Sequence, residues 1–515
     1  MDRLVRSRVL MNVVLVAVLL IAAPAAVADV RLPHVIGSNM VLQRDMAVPI
    51  WGWADPGEEV TVKIAGQEVR VKADEKGGWI VRLAAMPAGG PHEMTVAGKN
   101  TVQLANVLVG EVWVASGQSN MEMGISQVND AEKEIAAADY PQIRLFDVPK
   151  VAAGEPVDDV DAAWLPCSPQ NIMAGTWGGF SAAAYFFGRE LHKELKVPIG
   201  LIDSSWGGTR IEPWTQAEAF ADMPMFKEIT KQVAQAAPNY KKALADAVTQ
   251  FEAWLPKARE ALDAGKTIPP PPAWPKHPLA SEGQPTGLYN GMIHPLAPFA
   301  IRGAIWYQGE SNHPDGAKYT DMMKALIGGW RKVWDEGDFP FYYVQIAPYG
   351  KIYKEDMLPK LWEAQTAAMA IPNTGMIVTT DIAELNDIHP KNKQDVGKRL
   401  ALWALAKTYG KQDVVCSGPL YKSMTIEGGK VRLSFDYVGG GLAARDGEPL
   451  NWFEIAGEDH KFVKADAVID GPSVVVSSDK VPVPVAVRLS WSQIAQPNLM
   501  NKEGLPASPF RTDQW

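Results

Sequence analysis

Cysteine is almost missing: two residues in 515, Cys167 and Cys416. So small a number excludes a disulfide framework and a CxxC metal site. One bridge between the two, or two separate buried thiols, are the readings left open. A membrane-spanning run is also missing, because the apolar stretch near the N-terminus, Val13 to Ala23, falls short of the ~20 residues a bilayer requires. There is no excess of positive charge. Lys and Arg total 50 against 59 Asp and Glu, a net charge of -9, which excludes nucleic acid or an anionic membrane surface as the main partner.

What the chain has is the balance of a globular protein, 47% hydrophobic and 21% charged, at a length that predicts roughly two to four domains. Its 18 tryptophans suit a protein that stacks on sugar rings, although most such side chains pack in cores. Arg3, Arg6 and Arg8 precede the apolar stretch, and Ala26-Val27-Ala28 follows it. That order predicts a cleavable signal peptide over 1–28, cut near Ala28, and a secreted or periplasmic product with no membrane insertion afterwards.

Residues 29–105 alternate apolar and polar side chains around turns at Asp55-Pro56-Gly57, Ala65-Gly66 and Lys76-Gly77-Gly78, the pattern of an N-terminal β-sandwich domain. From 106 to 415 the pattern changes. Five apolar runs, NVLVGEVWVAS, VPIGLIDSS, FAIRGAIWYQ, FPFYYVQIAP and GMIVTTDIA, are interleaved with helix candidates at 178–195, 316–334, 361–370 and 390–409. This alternation predicts an α/β domain with a five-stranded parallel sheet covered on both faces. A helix-rich insertion at about 215–285, ending in the polyproline stretch TIPPPPAWPKHP, is either a cap on the substrate cleft or a neutral elaboration. Strand signals return from 416 to 515, as a C-terminal β-rich domain or an extension that packs on the first.

In open α/β sheets the working site lies beyond the carboxyl ends of the strands. The first run ends at Ser119, the second at Gly207 and Gly208, the third at Gln308, Glu310 and Asn312, and the fifth leads to Asp387 and His389. Those residue types suit acyl transfer: Ser119 as nucleophile, His389 as base, Asp387 as the acceptor that orients it. The amides of Ser119 and of one glycine of the 207–208 pair, with a side-chain amide such as Gln308 or Asn312, would receive the oxyanion. Each residue also has a structural reading. Ser119 fits a turn or cap, Gln308 and Glu310 fit hydrogen-bonded core groups, and His294 fits a satisfied core histidine as well as the cleft. Arg210 fits a substrate contact or a brace to Glu212 or Glu310, with bracing preferred. Ser116 and Asn120 are read as supporting loop residues and Met121 and Met123 as packing. No metal cluster or cofactor motif is present.

The segments SGQSNM, SSWGGTRIEPW, LYNGMIHPL, WYQGESN and DIHPKNKQDVGKRLA resemble the sialate O-acetylesterase family, a branch of the SGNH (GDSL-like) hydrolases, across most of residues 30 to 410. The resemblance implies an SGNH-type α/β/α sandwich flanked by β-sandwich domains and metal-free Ser-His-Asp catalysis. It also implies removal of O-acetyl groups from sugars. It assigns Ser119 and His389 as nucleophile and base, and Gly208 and Gln308 as oxyanion positions. One departure stands out: the position three before the histidine, where many SGNH enzymes carry the acid, is Asn386. Asp387, two before, takes the role, with Glu310 as the alternative orienter. The expected substrate is an acetylated carbohydrate, either sialic acid or a plant or algal polysaccharide such as xylan or xyloglucan. The rival readings are a non-catalytic carbohydrate-binding protein and a lipase or thioesterase.

Overall fold

The computed structural model describes residues 29–221, 223–354 and 356–515, so the expected signal peptide over 1–28 lies outside the described residues. Six strands come first: β1 (Val41–Gln43), β2 (Val48–Trp53), β3 (Glu59–Ile64), β4 (Gln67–Lys72), β5 (Gly78–Leu83) and β6 (Gly89–Ala97). Their sequence alternation becomes alternating burial, as in β3, where Val60, Val62 and Ile64 are buried while Glu59 and Lys63 are exposed. β4, β3 and β6 pair antiparallel and β6 pairs with β7 (Thr101–Gly117), while β2 and β5 form a separate two-stranded ribbon.

β7 serves two sheets. Up to Asn106 its residues alternate between wet and buried, but from Val107 to Gly117 every residue is buried, as a strand covered on both faces must be. Around that second half lie β8 (Tyr140–Asp147), β9 (Leu165–Cys167), β10 (Ile199–Ser205), β11 (Gly303–Tyr307), β12 (Phe341–Val344) and β13 (Thr374–Ile377), in the order β13-β12-β11-β7-β10-β8-β9. All neighbours are parallel except β9, which is antiparallel to β8. The five apolar runs are therefore all strands, but the parallel set has six members, not the five expected. The sixth, β8, reads YPQIRLFD, and only its second half is well buried. Pro141, Gln142 and Arg144 break up the apolar run that would have marked it.

Helices cover both faces. Trp113 and Tyr342 point to the helices Ala182–Leu195 and Lys393–Trp403, meeting Phe187 and Trp403. Trp306 and Phe341 point the other way, onto Trp330 of the helix Lys318–Trp334. The insertion is a helix of 37 residues, Lys227–Asp263, and the polyproline segment folds back on it. There Trp274 stacks on Phe251 at 4.8 Å, and Trp254 Nε1 donates to Pro269 O at 2.9 Å.

One apolar core runs from Val30 to Cys416, and a second, from Val431 to Phe510, fills the C-terminal β region with its two four-stranded antiparallel sheets. That region docks through Arg511, which donates to both Glu363 oxygens at 2.9 and 3.0 Å. Cys167 and Cys416 are separate, buried free thiols. Among the described residues no helix is long and apolar enough to cross a membrane.

Glu111 sits where β7 passes from one sheet to the other, fully buried. It accepts from Arg44 Nε, from Arg302 Nε at 2.8 Å and from Gln43 Nε2 at 3.0 Å. Glu111→Ala would leave two guanidinium groups without their shared counter-charge. The expected loss is about 3–5 kcal/mol of stability, read as a lower urea midpoint at unchanged slope. A loss under about 1 kcal/mol would contradict this role for the junction.

Candidate active site

β7 ends where it does because of Gly117. Its φ is +139°, and a Cβ there would lie 2.2 Å from Tyr307 O of β11, so only glycine lets the strands stay this close. The chain then makes one helical turn, Ser119–Glu122, packed underneath by Met121 and Met123, both buried. Ser119 opens the turn, so its amide has no carbonyl of its own helix to bind, and among the described residues it donates to nothing.

His389 arrives on the loop between β13 and the helix Lys393–Trp403. The sequence predicts that helix from Pro390, but it begins three residues later, where Asn392 Oδ1 caps Asp395 N at 3.0 Å. A residue that precedes proline is disfavoured in the helical region, so the helix does not reach back to His389. The loop is tied at several points. Arg399 donates to both Asp381 oxygens at 2.8 and 2.6 Å, and Lys391 N donates to Glu384 Oε1 at 2.9 Å. From the C-terminal region, Arg445 Nη1 donates to Asp381 O at 3.1 Å and Gln496 Nε2 to Ala383 O at 3.0 Å.

These constraints bring His389 Nε2 to 2.9 Å from Ser119 Oγ, with Trp177 edge-on to the imidazole at 4.9 Å. Asp387 Oδ1 accepts from the His389 amide at 2.9 Å and lies 3.7 Å from Nδ1. Burial first, then the Lys393 ammonium, holds the imidazole below its ordinary range, against the opposing pull of Asp387 and Glu122.

Beneath Ser119 lies a polar network. The Asn120 side chain donates to Glu310 Oε1 at 2.5 Å and to Ile388 O at 2.9 Å, and it accepts from Lys393 Nζ at 2.6 Å. Asn120, Lys393 and Glu310 are all buried. Burial raises the Glu310 carboxyl above its usual range and pulls the Lys393 ammonium down to about 7, with Glu310 opposing the latter. Glu310 thus reaches Asn120; among the described residues no hydrogen bond joins it to His389.

On the opposite side stand the glycines. Gly207 packs on Ser119, its amide donating to Glu122 Oε2 at 2.6 Å. The other oxygen of Glu122 accepts from Lys150 Nζ at 2.5 Å. Gly208, at φ +77°, has an amide that donates to nothing among the described residues. Gln308 and Asn312 do not offer the expected donors. The fully buried Gln308 amide donates to Thr209 O and Asn312 Oδ1 at 3.2 and 2.7 Å, and its oxygen accepts from Tyr319 OH. Asn312 Nδ2 donates to Glu212 and Asp315 at 3.2 and 2.9 Å. Arg210 is a brace, donating to Glu212, Asp315 and Ser311 O. His294 stands apart from the cluster, its Nδ1 3.0 Å from Val157 O.

Sequence reasoning missed four participants. Gln118 is 3% exposed, and its side-chain oxygen accepts from Gly309 N and Ser311 N at 3.3 and 3.2 Å. Its nitrogen has no partner among the described residues. Ser311 Oγ donates to Gly208 O at 3.0 Å, so Gln118 and Gly208 share a neighbour. Gln118 was legible as a polar residue beside Ser119. Glu122 and Lys393 look like ordinary helix charges, and Lys150 stands in a loop without a motif. Among the described residues no group of three or more His, Cys, Asp or Glu side chains is placed to hold a metal ion. A hydroxyl bonded to an imidazole, beside unengaged amides, is the geometry that acyl transfer requires.

Comparison with known proteins agrees with that chemistry. The family described as carbohydrate esterase, sialic acid-specific acetylesterase, matches residues 109–248 and 273–406. The sialate O-acetylesterase of Mus musculus is 33% identical over 443 residues, 79% of this chain and 79% of its own length. That of Homo sapiens is 32% identical over 442 residues, covering 79% and 76%. The crystal structure of a carbohydrate acetylesterase from Xanthomonas citri superposes with a TM-score of 0.79 at 38% identity, over 94% of this chain and 100% of that one.

The electrostatics are testable without turnover. Lys393→Met removes the cation that opposes protonation of His389, so the imidazole should hold its proton to higher pH. In histidine-labelled protein, the His389 resonance is expected to titrate below 6.5 and to move upward in the variant. An unchanged or lowered midpoint would contradict the assignment.

Proposed function

This chain belongs to the sialic acid-specific acetylesterase family of carbohydrate esterases, and from that premise we propose that it releases acetate from acetylated sugars through an acyl-enzyme on Ser119. The observation that carries the reading is the 2.9 Å approach of Ser119 Oγ to His389 Nε2 beside the unengaged amides of Ser119 and Gly208. His389 takes the hydroxyl proton as Ser119 Oγ attacks the acetyl carbonyl carbon. The oxyanion is received by the amides of Ser119 and Gly208 and by the Gln118 side-chain amide, whose pinned oxygen fixes its orientation. The intermediate collapses as His389 passes the proton to the departing sugar oxygen. A water molecule, deprotonated by the same imidazole, then releases acetate and restores Ser119.

Asp387 is the orienter of His389. It already holds the backbone of the histidine, and its 3.7 Å separation from Nδ1 closes by a small ring rotation as the imidazole gains charge. Glu310, committed to Asn120, is a positioning residue beneath the nucleophile. The neutral imidazole is the base, and its proton affinity is lowered, so kcat/KM rises with pH through a midpoint below 6.5 and then levels. The substrate is an acetylated carbohydrate, with O-acetylated sialic acid favoured by the names of the mammalian relatives. We also propose export through the residue 1–28 segment.

Ser119→Ala is expected to lower turnover of p-nitrophenyl acetate by about a thousandfold or more without loss of fold. Gln118→Leu should lower kcat by about a hundredfold. Asp387→Asn should cost about two to four orders of magnitude, and Glu310→Gln distinctly less at unchanged pH profile. Full turnover in the Ser119→Ala protein would refute the serine route, and equal losses in the two acid variants would refute the division of roles.

A further inference from the structure

The ribbon of β2 and β5 has two unlike faces. Val48, Ile50, Trp79, Val81 and Leu83 are buried in the core. On the other face Trp51 and Trp53 stand two residues apart on one strand, roughly 7 Å from each other. Ile80 is directly across from Trp51 and 46% exposed; Gly78 lies across from Trp53 and adds no side chain there, and the Arg31 guanidinium stands 5.8 Å from the Trp53 ring centroid. These residues line a cleft of about 520 Å³ with Lys72, Asp74 and Asp158.

The polar rim is ready for a ligand. The Lys72 and Asp158 side chains are exposed and make no hydrogen bond or ion pair among the described residues. Asp74 is held in place, its Oδ1 accepting from Lys76 N and Gly78 N at 2.8 and 2.9 Å. The wall also carries His294 and Pro298, from the segment that leads into β11. The cleft shares no lining residue with the cluster around Ser119.

We infer that this cleft is a glycan-anchoring site, in which the Trp51 and Trp53 indoles stack on successive sugar rings of a neutral polysaccharide chain. The C–H faces of pyranose rings match indole surfaces, and sugar hydroxyls match unengaged carboxylate and ammonium groups. The chain has a net charge of -9, so a polyanionic glycan is disfavoured. None of Ser119, His389, Gly208 and Gln118 lines the cleft, which makes it an anchor for a polymer rather than part of the acetyl-binding site. The inference rests on the carbohydrate reading of the chain but not on the serine mechanism.

The test is affinity electrophoresis of the full chain in gels containing xylan, hydroxyethylcellulose or polygalacturonate, with p-nitrophenyl acetate turnover measured on the same preparations. The wild type should be retarded by at least one of the neutral glycans and not by polygalacturonate. The double variant Trp51→Ala, Trp53→Ala should weaken retardation by about tenfold or more at unchanged ester turnover. Asp158→Arg, a change in an exposed loop that leaves the ribbon intact, should weaken it as well. Absence of retardation in the wild type, equal retardation of the Asp158→Arg protein, or stronger binding to polygalacturonate would each overturn the proposal. Retardation is read without catalysis, so a failure of the esterase mechanism would leave this result independent.

Discussion

A single buried carboxamide ties the candidate site together. Asn120 follows Ser119 and has both ends of its amide engaged, to Glu310 beyond β11, to Ile388 beside His389, and to Lys393 at the start of the last helix of the α/β region. Three segments distant in sequence therefore meet at one side chain. Neighbouring donors and acceptors in a buried site polarise one another, and a gap in such a network leaves unpaired buried polar groups. The separation of Ser119 and His389 is set by this junction as much as by the strands that deliver them.

The same junction shapes the electrostatics. Lys393 and Glu310 do not touch; each is bonded to an opposite end of Asn120, and burial pushes both toward their neutral forms. Burial, and after it the cation at Lys393, lowers the proton affinity of His389 and keeps the imidazole free to accept a proton. On the outer side Glu122 is held by Lys150 and by the Gly207 amide, which leaves the next amide, Gly208, free. The histidine loop itself is braced from two bodies of the protein, through Arg399 on the α/β side and Arg445 and Gln496 on the C-terminal side. The C-terminal β region is in this respect part of the site's scaffold.

Much of this was legible in the residues. Strands buried on both faces announce themselves as apolar runs, and their polar endings marked Ser119, Gly208 and His389 because a parallel sheet collects such endings at one edge. β8 was hidden because half of it is wet and Arg144 interrupts it. The side-chain amide was misjudged for a different reason. Gln118 and Gln308 carry the same group, and only packing decides which is consumed by its neighbours. Asn120 looked like a loop residue and Lys393 like a solvated helix charge, since neither burial nor long-range pairing leaves a local pattern. His294 and the outward tryptophans were noticed as residue types, but the cleft they share joins segments hundreds of positions apart.

The central claim is that His389 activates Ser119 for covalent chemistry, and the most direct measurement is to map the adduct formed with diisopropyl fluorophosphate by peptide mass spectrometry. The account predicts one modification per chain, on the peptide that contains Ser119, formed rapidly in the wild type and lost in a folded His389→Ala protein. An unmodified Ser119 in protein that hydrolyses esters, or a modification that persists without His389, would contradict it.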